Sequence, residues 1–257
     1  TLVSGLGGDS LFGGEGNDEV HINDELNYNF SEVDGGSGED TLVVRQVNWQ
    51  VGGGKRLDFS VVKGFERLEL GRYAGQIVLS DSLFSAGLDA EVSVYKVDGG
   101  YDSYGGQIRF DGSAESDARL TIRGYGDIED TGYRYKDDSI IGGQLDDCMY
   151  GFSGDDTFKG GSGNDTIDGG ENVDTALYSG NRNEYLVEST SEGVEVLHLN
   201  NGSDGRDLLI GINKLKFADV EIDAPANGVE QEGSTKDDSL QGGEGNDLFK
   251  GLDGNDT

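Results

Sequence analysis

The strongest constraint on this fold is a nine-residue repeat that ends each glycine-rich turn with an aspartate. One complete unit reads Gly160-Gly161-Ser162-Gly163-Asn164-Asp165-Thr166-Ile167-Asp168. Five aspartates hold this frame, nine residues apart: Asp138, Asp147, Asp156, Asp165 and Asp174. Ordinary hairpin turns have no reason to keep one phase over successive units. The spacing therefore predicts stacked turns that carry a ladder of carboxylates.

The same frame returns near both ends of the chain. Aspartates close further glycine-rich turns in two groups, Asp9, Asp18 and Asp40 near the start and Asp238, Asp247 and Asp256 near the end. We therefore predict three repeat blocks, at residues 1–43, 133–177 and 233–257. Because the chain begins inside one block and stops inside another, we expect it to be part of a larger protein.

Each position of the repeat has a physical role. Glycines permit the positive φ angles and the close backbone approach of a tight turn. The three residues after each aspartate suffice for a short strand, in which only the middle side chain points inward. We expect a thin core with one apolar residue per repeat: Leu11, Val20, Leu42, Ile140, Met149, Phe158, Ile167, Leu240 and Phe249. Because one coil cannot bury this face alone, neighbouring coils must stack into a solenoid.

The charge of the chain calls for a cation between these turns. Asp and Glu number 51 against 19 Lys and Arg, which gives a formal charge of -32. Carboxylate and carbonyl oxygens on flexible loops suit Ca²⁺ better than the stricter octahedron of Mg²⁺. Zinc is disfavoured because His21, His198 and Cys148 are isolated and lack the ligand spacing of a zinc site. We predict several Ca²⁺ ions as cofactors, and a chain that folds only when they bind.

These turns resemble the RTX, or haemolysin-type, calcium-binding repeats, whose nonapeptide is G-G-x-G-x-D-x-U-x. The resemblance implies an all-β fold of calcium-bound, right-handed parallel β-roll or β-solenoid blocks, interleaved with β-strand spacer and capping modules. It also implies two nonapeptides per coil, with calcium between successive turns on the same side. By this resemblance the metal ligands are Asp9, Asp18, Asp40, Asp138, Asp147, Asp156, Asp165, Asp174, Asp238, Asp247 and Asp256.

Two stretches between the blocks depart from the repeat. In each, a glycine precedes an alternating apolar run, at 64–70 and 211–217, which predicts an extended strand able to pair at an end of the solenoid. The two apolar runs within residues 184–199 predict a β-hairpin. We expect 44–132 to be a β-rich spacer that continues the solenoid with longer rungs. Residues 178–232 are predicted to be a β-rich capping or spacer module, because the open ends of a solenoid need covering.

The spacer also contains a group of tyrosines among acidic loops: Tyr95, Tyr101, Tyr104, Tyr125, Tyr133 and Tyr135. Aromatic rings beside carboxylates can hold a sugar, so a surface glycan or another surface protein is a candidate partner. The alternative, which we favour, is that these rings are half-buried anchors of their loops.

Composition and motifs narrow the function further. Acidity argues against binding to nucleic acid or to anionic membrane surfaces, and no apolar run has the length of a transmembrane segment. The sequence has no H-E-x-x-H or G-x-S-x-G motif, so we expect no enzymatic activity within it.

The family resemblance supplies a setting for the chain. RTX proteins leave the cell unfolded by type I secretion and fold on extracellular calcium. The implied function is a calcium-binding structural module of a large secreted or cell-surface protein, of adhesin or surface-layer type. The alternative is the C-terminal secretion and folding region of an RTX exoenzyme, such as a protease, lipase or alginate epimerase, or of an RTX toxin.

Overall fold

The fold consists almost wholly of short strands. A computed structural model describes residues 1–3, 10–22, 31–44, 57–59, 61–71, 75–81, 83–84, 89–95, 108–124, 137–225, 230–232 and 248–250. Among them the only helical segments are two short 3₁₀ helices, Arg182–Glu184 and Leu199–Asn201. The predicted all-β class is confirmed.

The strands are short enough for each to form one side of a rung. The first twelve are β1 (Leu2–Val3), β2 (Ser10–Glu15), β3 (Glu19–Ile22), β4 (Glu32–Ser37), β5 (Thr41–Val44), β6 (Leu57–Asp58), β7 (Val62–Lys63), β8 (Arg67–Gly71), β9 (Gly75–Val78), β10 (Asp89–Tyr95), β11 (Ile108–Asp111) and β12 (Arg119–Arg123). The others are β13 (Ser139–Ile141), β14 (Cys148–Tyr150), β15 (Thr157–Lys159), β16 (Thr166–Asp168), β17 (Thr175–Leu177), β18 (Tyr185–Ser189), β19 (Val194–His198), β20 (Arg206–Ile210), β21 (Lys214–Lys216), β22 (Glu221–Asp223), β23 (Glu230–Glu232) and β24 (Leu248–Lys250).

Most of these strands belong to two sheets with parallel pairing. In the described residues the larger sheet has the order β1-β3-β5-β8-β10-β12-β14-β16-β20-β19-β18, and an eight-stranded sheet has the order β22-β21-β17-β15-β13-β11-β9-β6. From β8 to β17, consecutive strands alternate between the two sheets. Each rung thus supplies one strand to each sheet, which confirms the parallel β-roll. Near the start, β2, β4 and β7 form a third sheet.

The register shows that one coil contains two nonapeptides. Ser139 pairs with Thr157, and Cys148 pairs with Thr166, so equivalent residues are 18 apart. The middle residue of each central strand points inward: Ile140, Met149, Phe158 and Ile167 are at most 1% exposed. Val20 and Leu42 are buried in the same way, whereas Leu11 is only partly buried against the core. The side chains of Leu240 and Phe249 lie outside the described residues.

Close stacking of the turns depends on glycine. Gly161 has a φ of +109°, and a Cβ placed on it would lie 2.1 Å from the carbonyl oxygen of Gly143 in the preceding coil. A side chain at this position would be strained by the backbone angle and would push two coils apart. The glycine therefore sets the distance between neighbouring turns.

The segment at 64–70 lies elsewhere than predicted. Its strand, β8, pairs with β5 on one side and β10 on the other, inside the larger sheet rather than at its end. The reason is that Gly64, Glu66 and Leu68 keep the spacing of glycine, acid and apolar residue found in a repeat turn, so the chain continues the roll there.

Antiparallel strands complete both main sheets within the described residues. The predicted hairpin is present as β18 and β19, and β19 pairs antiparallel with β20. In the other sheet β22 pairs antiparallel with β21. Tyr178, Tyr185 and Phe217 pack beside this hairpin, with ring centroids 5.1–5.4 Å apart. At this end of the roll the strand direction therefore changes from parallel to antiparallel.

Candidate metal centre

A column of acidic residues lies just before the strands of the larger sheet. We call it the first column: Asp18, Asp40, Glu66, Asp147, Asp165 and Asp207. Within the described residues, all of them except Asp18 accept a hydrogen bond from the backbone of the rung before. Asp18 N donates to Asp40 Oδ1 at 2.7 Å, and Asp40 N donates to Glu66 Oε2 at 2.6 Å. The repeat of the strands thus spaces the carboxylates one rung apart.

The first column continues in the central block with the same geometry. Asp147 N donates to Asp165 Oδ1 at 2.8 Å, and Asp165 N donates to Asp207 Oδ1 at 3.1 Å. Asp147 in turn accepts from Leu120 N at 2.8 Å. These three carboxylates are buried, with exposures of 1% each.

A second column precedes strands of the eight-stranded sheet and consists of Asp138, Asp156 and Asp174. Asp138 N donates to Asp156 Oδ1 at 2.6 Å, and Asp156 N donates to Asp174 Oδ1 at 2.8 Å. Asp174 N donates to Asn213 Oδ1 at 2.8 Å, so an amide takes the next position. The second column is therefore a continuous chain of hydrogen bonds from Asp138 to Asn213, and the first column is continuous from Asp147 to Asp207.

An outer row of exposed side chains accepts backbone hydrogen bonds in the direction opposite to that of the two columns. Asp155 N donates to Asp137 Oδ1 at 3.0 Å, and Val173 N donates to Asp155 Oδ1 at 3.0 Å. Here the acceptor belongs to the earlier coil, whereas in the two columns it belongs to the later one. Each turn is consequently tied to the turn before it and to the turn after it.

The buried carboxylates retain oxygens that nothing in the protein satisfies. Oδ2 has no hydrogen-bond partner in Asp40, Asp156, Asp165 or Asp174. A buried acceptor without a partner is costly, and a buried charge without a partner costs more. Four such oxygens in register indicate that the columns are built around a group that the protein itself does not supply.

Burial also disfavours ionisation of these carboxylates. Loss of solvent raises the pKa of Asp156 and of Asp165 to about 8, and neighbouring acids add to the rise. The same cause raises the pKa of Asp147 and Asp174 to about 6 and that of Asp207 to about 7. Keeping a carboxylate of pKa about 8 ionised costs on the order of 6 kcal/mol relative to an ordinary aspartate. A cation beside Oδ2 offsets that cost.

Glycines let the oxygens of neighbouring turns approach one another closely. A Cβ placed on Gly142 would lie 2.2 Å from Gly160 O and 2.6 Å from Asp147 Oδ2. A Cβ placed on Gly151 would lie 2.3 Å from Asp156 Oδ2 and 2.6 Å from Gly169 O. Each glycine thus lies against a carboxylate oxygen of its own turn and a carbonyl oxygen of the next turn on that side. These are hard oxygen donors, which fit calcium.

The structure places the predicted ligands on these columns wherever it describes them. Asp18, Asp40, Asp147 and Asp165 belong to the first column, and the second column holds the remaining three, Asp138, Asp156 and Asp174. Asp9, Asp238, Asp247 and Asp256 lie outside the described residues. Which individual aspartates bind calcium stays a prediction.

Sequence reasoning missed three column residues: Glu66, Asp207 and Asn213. Asp207 ends Gly202-Ser203-Asp204-Gly205-Arg206-Asp207 and is followed two residues later by Leu209, which is a recognisable variant of the repeat. Glu66 and Asn213 each stand two residues after a glycine and two before a leucine. Allowing Glu or Asn at the acidic position would have found both.

Comparison with known proteins agrees with this geometry. The model of the RTX calcium-binding nonapeptide repeat, in four copies, matches residues 1–21, 150–180 and 232–257. A search of curated proteins gave no match. In the part of the chain that the structure describes, we find no helix with the length and apolar character to cross a membrane. Calcium is therefore a binding partner, and the chain carries RTX calcium-binding nonapeptide repeats of the haemolysin type.

Proposed function

We propose that this chain is a calcium-dependent structural module of a large secreted or cell-surface protein, of adhesin or surface-layer type, and that it folds on reaching extracellular calcium. The observation that carries the proposal is the stack of buried carboxylates whose Oδ2 atoms lack partners. Without a cation these groups disfavour the roll. With calcium they become the contacts that join successive turns.

The charge of the chain supports an extracellular site of folding. With a formal charge of -32, the metal-free chain repels itself strongly. Calcium modules that work outside cells bind their ions at about 10⁻⁴–10⁻³ M, far above the levels that intracellular sensors respond to. A chain of this kind stays unfolded inside the cell and folds outside, as secretion through a type I system requires.

The continuity of the roll supports a structural role. The larger sheet passes from β5 through β8, β10 and β12 to β14, so the spacer is joined to the repeat blocks by the same parallel pairing. Repeated rungs of this kind suit an extended element that separates other domains. We propose accordingly that the chain itself has no catalytic activity.

A calcium titration tests the folding proposal. Far-ultraviolet circular dichroism of the isolated chain, stripped of metal, should show little β-structure and should gain most of it at 10⁻⁴–10⁻³ M calcium. Magnesium at the same concentration serves as the control and should be much less effective. A β-rich spectrum in chelator, or a folding midpoint at micromolar calcium, contradicts folding on extracellular calcium.

The adhesin or surface-layer role is tested by the sequence that flanks this chain in its gene. Tandem extender domains upstream support the proposal. An H-E-x-x-H zinc motif or a lipase G-x-S-x-G motif would instead assign the chain to the C-terminal region of an exoenzyme.

A surface glycan or surface protein is the proposed partner of the tyrosine-rich loops. The side chains of these tyrosines lie outside the described residues, so the proposal depends on the sequence alone. A glycan array probed in calcium, and again in chelator, is the direct test. Binding that survives chelation, or its absence in calcium, argues against a calcium-bridged sugar site.

A further inference from the structure

The spacer turn after β11 differs in length from the repeat turns. Asp111 pairs with Ile141, so Gly112 takes the register position of Gly142 in the next coil. From Gly112 the chain takes eight steps to reach Leu120, whereas from Gly142 it takes five steps to reach Asp147. Leu120 and Asp147 are equivalent in register. The spacer turn is thus three residues longer and has leucine in place of the column carboxylate.

The additional residues bring a different carboxylate into the interior. Glu115 is 0% exposed, and its backbone oxygen accepts from Gln144 N of the next coil at 3.0 Å. Its Oε1 accepts weakly from Asp117 N at 3.3 Å and from Ala118 N at 3.2 Å. Its Oε2 is buried and has no partner. Burial raises the pKa of Glu115 to about 7. Glu115 therefore shares the features that distinguish the column aspartates.

Two more carboxylates face Glu115. One ligand oxygen from each of Asp81, Glu115 and Asp117 lies within 4.8 Å of the others. Asp81 belongs to the turn after β9, one coil earlier on the same side of the roll. Its Oδ1 accepts from Ser116 N at 2.8 Å and from Ser116 Oγ at 2.7 Å, which ties the two turns together. Three acids from two successive turns thus converge.

We propose that Asp81, Glu115 and Asp117 form a calcium site outside the nonapeptide repeats. Three carboxylates at this spacing repel one another, and the unpartnered Oε2 of the buried glutamate offers a ligand that no protein donor satisfies. Carboxylates on loops are donors that calcium prefers. The site lies where the first column has Ala90 and Leu120 in place of acids, and it joins neighbouring turns of the spacer as the columns do elsewhere. The matched repeat ranges do not include these residues.

The test counts calcium ions per chain by native mass spectrometry and equilibrium dialysis. Glu115→Gln removes the buried charge with little change of shape, and we expect it to bind one calcium ion fewer than the unmodified chain. Glu192→Gln, at an exposed position in the β18–β19 turn, makes the same chemical change and should leave the count unaltered. Asp81→Asn keeps an oxygen acceptor for Ser116 and should weaken that same ion at least tenfold.

The outcomes separate this site from a buried protonated acid. If Glu115→Gln binds as many ions as the unmodified chain with equal affinity, the proposal is wrong and Glu115 is simply neutral in the fold. If Glu115→Gln fails to fold, Asp81→Asn decides, because unchanged affinity in that variant also refutes the site. A failure of the unmodified chain to bind calcium at all would instead refute the proposed function.

Discussion

The central block and the spacer build the same roll from different chemistry. Strands β10 and β12 pair in parallel like β14 and β16, yet the column position before them is Ala90 and Leu120 rather than Asp147 and Asp165. Ala90 and Leu120 are buried and apolar, so they stabilise the rung by leaving water. The buried acids stabilise it only when a cation is present. Parallel stacking therefore does not itself require calcium, and calcium dependence should be a local property of the acidic rungs.

Removal of calcium should have the largest effect on stability, and it should unfold the central block before the spacer. In chelator we expect β14 to β17 to lose amide protection first, because their turns carry ionised carboxylates that no longer have a counterion. Strands β10 and β12 should keep protection to lower calcium concentrations. Hydrogen exchange followed by mass spectrometry measures this directly. Loss of protection at one common calcium concentration in both regions would show a single cooperative unit and refute local dependence.

Low pH should stabilise the metal-free fold in part, because protonation neutralises the buried carboxylates as calcium does. In the metal-free fold the pKa values of Asp156 and Asp165 are about 8, far above the 3.8 of an ordinary aspartate. The folded chain thus binds more protons than the unfolded chain, so stability is greatest below pH 4 and falls as the pH rises to about 8. Circular dichroism of metal-free protein should therefore show more β-structure, and a higher melting temperature, at pH 5 than at pH 8.

A matched variant assigns this pH effect to the column. Asp156→Asn keeps an oxygen for Asp138 N but cannot ionise, so it should reduce the pH dependence of the metal-free melt. Stability that rises with pH, as it does for carboxylates in salt bridges, would contradict the desolvation of these aspartates.

The comparison also explains how far the sequence could predict the structure. The nine-residue frame predicted stacked turns and the inward position of Phe158 and Ile167, because both follow from local spacing. The resemblance to RTX repeats, and not the spacing, implied the parallel roll and the register of Asp147 with Asp165. Glu66 and Asp207 stand in local variants of the repeat, but their register could not be predicted, because their partners lie 26 and 42 residues away across insertions that break the frame. Glu115 was beyond prediction, because it reaches the interior only through a longer turn.

A side chain placed between two acidic turns should lower the free energy of unfolding by less than the removal of calcium does, but by more than the loss of one column ligand. Gly142→Ala places a methyl group 2.2 Å from Gly160 O and 2.6 Å from Asp147 Oδ2. Because the φ of Gly142 is not in the left-handed region, the effect reports on space rather than on backbone strain. We expect a loss of about 3 kcal/mol in calcium.

Gly112→Ala is the control at the equivalent position of the spacer. Its added methyl group would meet Leu120 Cδ1 at 2.8 Å, a side chain able to move. In calcium it should lower the free energy of unfolding by a smaller amount, and it should leave the calcium affinity of the columns unchanged. Equal calcium affinity in Gly142→Ala and the unmodified chain would show that ion binding does not depend on the close approach of Gly142 to Asp147 and Gly160.

The loss of one column ligand should have the smallest effect and should extend to neighbouring sites. Asp156 accepts from Asp138 N and donates its own N–H to Asp174, so its carboxylate lies between two turns of the second column. We expect Asp156→Ala to weaken two adjacent calcium sites roughly tenfold each, or about 1.4 kcal/mol per ion. Asp155→Ala removes the same charge from the exposed outer row and should cost less, because its carboxylate remains in water. Calorimetry in calcium compares the two variants. Full stoichiometry and unaltered calcium affinity in Asp156→Ala would mean that the second column is held together by hydrogen bonds alone. The acidic rungs would then depend on calcium no more than the spacer does, contrary to what their unpartnered buried oxygens indicate.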